Sequence, residues 1–100
     1  VASPHSNKCF EVIRDIYKNE LGISLPNYES VEEGLEDKHW REIETPQAFD
    51  IVIFKNKHVG LVLNEFKFIH HTKWQGVVIN TFDSQTSEKI FLRWRKQQEN

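Results

Sequence analysis

The sequence predicts an α+β fold in which an N-terminal helix packs on a roughly five-stranded antiparallel sheet. Two observations carry this prediction. Apolar residues recur at helical spacing near the start, and short β-rich runs follow one another after residue 49. The gaps between those runs are too short for the helices that parallel crossovers need.

The helix is predicted over residues 8–21, where Cys9, Val12, Ile13, Ile16, Tyr17 and Leu21 draw one stripe. Ser6 or Asn7 can cap its start, and Glu11 suits the positive end of the dipole in the first turn. Gly22 is placed for a left-handed cap and Pro26 forbids resumption. Residues 27–48 are acidic and weakly periodic, with a short helix expected across Val31 to Trp40. The strands are expected at 50–54, 58–63, 66–70, 76–82 and 90–94, with Asn56 marking a turn and Asp83 to Lys89 a polar loop. No repeat, low-complexity tract or linker interrupts the chain, so residues 1–100 are expected to form a single domain.

Composition narrows the function. Apolar residues make up 38% and charges of both signs are mixed, which is a globular composition. A net charge of -2 argues against a surface built to neutralise phosphates, so no nucleic-acid partner is expected. The late cluster Lys89, Arg93, Arg95 and Lys96 reads as a solvated segment. No apolar run approaches the roughly 20 residues of a membrane span, and no signal peptide is visible. Opening at Val1 without methionine suggests a trimmed or excised piece. One cysteine excludes an internal disulfide, and zinc-ligand spacing is missing. Trp40, Trp74 and Trp94 read as core aromatics, His5 and His39 as surface residues, and the acidic run as a solvated face.

Cys9 is the residue with chemical promise. A thiol becomes nucleophilic when its pKa falls, and the first turn of a helix lowers it through unpaired N–H groups. It then needs a base, and the base a third group to orient it. His58 opens one strand and His70–His71 closes the next, so a hairpin brings them together. A two-residue loop at Asn64-Glu65 would set His58 opposite His71, and an odd loop centred on Asn64 opposite His70.

Cys9-Phe-Glu-Val-Ile-Arg-Asp-Ile-Tyr17 followed by Leu21-Gly-Ile-Ser-Leu-Pro26 resembles the nucleophile helix of NlpC-type papain-like cysteine peptidases. Phe49-Asp-Ile-Val-Ile-Phe54 is similar to that family's Gly-Asp-leading strand, His58-Val-Gly-Leu-Val-Leu63 to its base-bearing strand, and Phe68-Ile-His70 to the strand with the third polar residue. Arg14-Asp15, the stretch ending at Tyr28, the doubled histidine and Leu92-Arg93-Trp94 resemble the peptidase domains of bacteriophage tail assembly proteins. The resemblance implies a papain-like hydrolase that cuts an amide in the peptidoglycan stem peptide, commonly between D-glutamate and the next diamino acid. It implies Cys9 as nucleophile, His58 as base and, over His71, His70 as the orienting residue, with no metal or cofactor. Phage tail proteins would be partners, and a virion tail or a secreted or periplasmic location the site of action. The alternatives are a structural tail component with little activity, or a papain-like amidase toxin or acyltransferase.

Three departures from the pattern stand out. Lys8 replaces a residue that is commonly acidic, and Phe49 replaces the glycine before Asp50. The family's upstream Tyr and glycine-rich stretch have no counterpart among Val1 to Lys8. Trimming, substitution by His5 or a later residue, or weak activity would each account for that.

Overall fold

The computed structural model describes residues 8–55, 57–82 and 88–95, with the side chains of residues 8 and 9 outside what is described. The expected caps at Ser6 and Asn7, the turn at Asn56, most of the 83–89 loop, His5 and Lys96 therefore lie outside the described residues.

Helix α1 spans Lys8–Ile16 and runs on through a π-helical turn, Tyr17–Leu21. Together these cover the expected helix. The stripe sits slightly differently from its sequence reading: Phe10, Ile13 and Tyr17 are the buried residues, while Leu21 is exposed. Gly22 ends the helix at φ 70°, and its N–H together with that of Ile23 takes up the carbonyls of Lys18 and Tyr17. That is the left-handed cap expected there, and glycine adopts it without a Cβ penalty.

Helix α2 is shorter than expected, Val31–Glu36. Ser30 caps it, its Oγ accepting from Glu33 N–H at 3.2 Å, while Glu33 Oε1 accepts from Glu29 N–H at 2.8 Å. Asp37 then turns to extended backbone, and Trp40 opens strand β1, Trp40–Ile43. The remaining strands are β2 (Ile51–Phe54), β3 (Val59–Val62), β4 (Lys67–Thr72), β5 (Gly76–Thr81) and β6 (Lys89–Trp94). The sheet is thus six-stranded, in the order β1-β6-β2-β3-β4-β5, with every pair antiparallel.

β2 is buried on both faces. Ile51 and Ile53 pack with Phe10, Ile13 and Tyr17 of α1, and Val59 and Leu61 of β3 join them. On the opposite face Val52 and Phe54 meet Val62 and Phe68. Gly60 lies beneath Phe68: a Cβ there would come within 2.8 Å of the Phe68 ring and 3.2 Å of the Ile69 carbonyl oxygen. Gly60→Ala is expected to cost about 1–3 kcal/mol through overpacking, measured by urea denaturation. An unchanged midpoint would show that the Phe68 ring swings away freely.

One aromatic expectation needs correction. Trp40 is buried and Trp94 half-buried, but Trp74 is 87% exposed in the turn between β4 and β5. His39 is exposed yet partnered. It stacks on Trp94 at 4.8 Å, and its Nδ1 lies 2.8 Å from Asp37 Oδ1. Asp37 also accepts from the hydroxyl of Tyr28, which in turn accepts from Trp40 Nε1 at 2.9 Å. Burial and the Asp37 carboxylate push the Tyr28 phenol well above its ordinary range, so it stays a donor.

Candidate active site

The hairpin of β3 and β4 closes in a way that neither sequence register described. Leu61 pairs with Ile69 and Val62 with Phe68. The loop is Asn64–Phe66, fixed by Asn64 Oδ1 accepting from the N–H groups of Phe66 at 2.7 Å and Lys67 at 2.9 Å. This register sets His58 opposite Thr72, so the histidines meet diagonally rather than directly. His58 Nε2 lies 2.5 Å from His70 Nδ1, their rings edge to face. His71 follows His70 on the strand and so points to the other face.

The pair sits at the sheet end where β3 begins and β4 finishes. His70 shares its face with Phe68, ring to ring at 4.8 Å, and His58 stacks near Phe54 at 6.3 Å. Both rings are half-buried. Beyond His70, its Nε2 lies 2.5 Å from Asn80 Oδ1 on β5. Sequence reasoning missed Asn80, which sits beside Thr81 near the end of β5. Burial first, then the nearby His70 and His71 charges, hold His58 below its ordinary pKa. The imidazole is therefore neutral at neutral pH, the state a base requires.

Cys9 stands in the first turn of α1, and its thiol lies outside the described side chains. The helix fixes where its backbone goes. Tyr17 donates to the carbonyl of Phe49, whose own N–H bonds the carbonyl of Val62 at the far end of β3. From Tyr17 back to Cys9 is about 12 Å of helix, and from Val62 back to His58 about 13 Å of strand. α1 packs against β3 and β4, and the two lengths are nearly equal. The apolar stripe of α1 covers the Val59–Leu61 face and the histidine pair the other.

At the opposite end of β2, Asp50 is 2% exposed and takes a two-pronged bond from Arg93, Nε to Oδ1 at 2.9 Å and Nη2 to Oδ2 at 3.0 Å. Its Oδ2 also accepts from Gln47 N–H at 2.8 Å. Asp50 thus has a structural role at the start of β2. Phe49 beside it adopts φ 75°, the conformation a glycine there would take without strain. The chain keeps the turn and gains ring packing of Phe49 on Tyr17, centroids 6.3 Å apart. Among the described residues no group of three His, Cys, Asp or Glu side chains is placed to hold a metal ion.

The family model of the NlpC/P60 family matches residues 2–96. The chain belongs to the NlpC/P60 family. No curated protein matches it. NlpC/P60 proteins are typically cysteine peptidases, which gives this chain a cell-wall peptidase-like function and agrees with its α+β architecture. The match spans α1, both histidine strands and Asn80.

Proposed function

We propose that this NlpC/P60 chain is a cysteine endopeptidase that hydrolyses an amide bond of the peptidoglycan stem peptide through Cys9, His58 and His70. The observation that supports it most is the 2.5 Å contact between His58 Nε2 and His70 Nδ1. With Nε2 engaged by His70, Nδ1 is the atom of His58 that takes the thiol proton. The thiolate adds to the scissile carbonyl carbon, and the oxyanion is met by N–H groups at the start of α1, Cys9 among them. The His58 imidazolium then returns its proton to the departing amine. Water attacks the thioester with His58 again as base, and the thiol leaves. The proposal requires the first turn of α1 to bring sulfur round the end of β3 to His58, because the helix stripe and the imidazoles occupy different faces.

The bond is that between D-glutamate and the following diamino acid, and the setting a bacteriophage tail that meets the cell wall. Both finer statements rest on the resemblance of the nucleophile helix, the Leu21–Tyr28 stretch and the doubled histidine.

Digestion of purified muropeptides tests the whole reading. Wild type is expected to release new amino groups at the D-glutamyl bond, identified by mass spectrometry, and Cys9→Ala to release none. Full activity in Cys9→Ala would refute the nucleophile assignment. A wild type that binds tail proteins yet cleaves no muropeptide would favour a structural role.

A further inference from the structure

Asn80 pairs with Phe68 across β4 and β5 and is diagonal to His70. Its amide oxygen faces His70 Nε2 at 2.5 Å. An amide oxygen only accepts, so Nε2 of His70 carries a proton, and a neutral imidazole has one proton to carry. His70 Nδ1 is then an acceptor. Facing it at 2.5 Å is Nε2 of His58, which must donate. Neutral His58 therefore holds its proton on Nε2 and a lone pair on Nδ1. Each bond in this row takes its direction from the one beyond it. The last member is an amide, which does not titrate where imidazoles do.

We propose that Asn80 is a positioning residue which, through His70, holds His58 in the tautomer whose Nδ1 accepts a proton. The use of that tautomer rests on the peptidase reading above; the tautomer itself does not. Asparagine suits the place better than a carboxylate. It supplies the accepting oxygen without a negative charge that would draw a second proton onto His70 and set a cation beside His58. Asn80 is also exposed and on the edge strand, so replacing it leaves the core untouched.

Long-range proton–nitrogen correlation spectra of the ¹⁵N-labelled full chain, at a pH where the rings are neutral, read the tautomers directly. Wild type is expected to show His58 and His70 protonated on Nε2 alone. Asn80→Ala, or Asn80→Val where a β-branched residue better suits the strand, is expected to mix the tautomers of both rings. Asn80→Asp keeps the acceptor and, once the pH is raised until His70 holds a single proton, is expected to preserve them; at lower pH the added charge is expected to put the second proton on His70 and reverse the His58 tautomer. In the muropeptide digest, Asn80→Ala is expected to lower kcat about fivefold with KM unchanged, the bias that one neutral hydrogen bond supplies. A wild-type His58 protonated on Nδ1, or tautomer populations in Asn80→Ala and Asn80→Val equal to wild type, would overturn the proposal. Tautomers that respond to Asn80 in a protein that cleaves no muropeptide would support the positioning role and count against the peptidase reading alone.

Discussion

Replacing His58 with alanine is expected to slow muropeptide hydrolysis by about 1000-fold, within the range a general base contributes, while the far-ultraviolet circular dichroism stays that of wild type. The ring is half-buried at the margin of the sheet, so its removal leaves Val59, Leu61 and the α1 contacts in place. The pH dependence separates its chemistry from simple packing. Burial and the charges of His70 and His71 favour the neutral ring. Activity is therefore expected to persist from neutral pH to below the ordinary histidine range before it falls, because the base is lost only on protonation. Folding carries the same sign: the neutral ring is the form the native state prefers. Stability from this group is complete above the ordinary histidine pKa and declines as pH drops from there through the lowered folded value. His71→Gln removes one repelling charge, so the acid limb of kcat/KM is expected to move up in pH. A limb that stays put, or moves down, would show that His71 does not act on His58 electrostatically.

How much of this was legible depended on whether the signal was local. α1 announced itself because a stripe, a glycine stop and Pro26 all agree within twenty residues. The β-rich runs from Asp50 onward were equally plain, since valine, isoleucine and phenylalanine dominate them. β1 was not, because Trp40-Arg-Glu-Ile43 has one buried residue followed by two charges and looks like the tail of the acidic helix before it. It is a strand because β6 pairs with it, and pairing across fifty residues leaves no local trace. The meeting of His58 with the 70–71 pair was foreseeable from the hairpin alone. Its register was not, because the Asn64 side chain makes a three-residue loop that a count of turn types does not single out. Asn80 stayed hidden for a related reason. Only the β4–β5 register brings it diagonal to His70, and nothing within Gly76-Val-Val-Ile-Asn-Thr81 marks one polar residue as different from any other. Cys9, the proposed nucleophile, is the reverse case, conspicuous in the sequence as the sole cysteine at a helix start.

The largest expected loss of stability lies away from the histidines, at Arg93. Asp50 is almost wholly buried at the start of β2, whereas the Arg93 side chain keeps 28% of its surface in solvent. The two halves of the pair are therefore unequal. Among the described residues, Arg93→Leu leaves the buried carboxylate with the Gln47 N–H alone as a hydrogen-bond donor. Stranding a buried charge in this way costs about 3–5 kcal/mol. For a chain of this size the lower figure alone corresponds to a fall in Tm of about 12–24 °C. Asp50→Asn is expected to be much milder. It removes the charge that demanded a partner, keeps an oxygen for Gln47, and leaves an arginine able to reach water. Thermal unfolding of the two variants side by side decides the point. Equal losses would mean that the bond geometry, not the buried charge, is what the strand start needs. The same comparison bears on the candidate site through Phe49, whose carbonyl receives the Tyr17 hydroxyl and whose N–H holds Val62. Asp50 follows Phe49 directly, so loosening it frees the far end of α1 from β3. The helix start would then lose its alignment with the sheet, and on the proposed peptidase reading Arg93→Leu is expected to lower kcat even at temperatures where the protein remains folded.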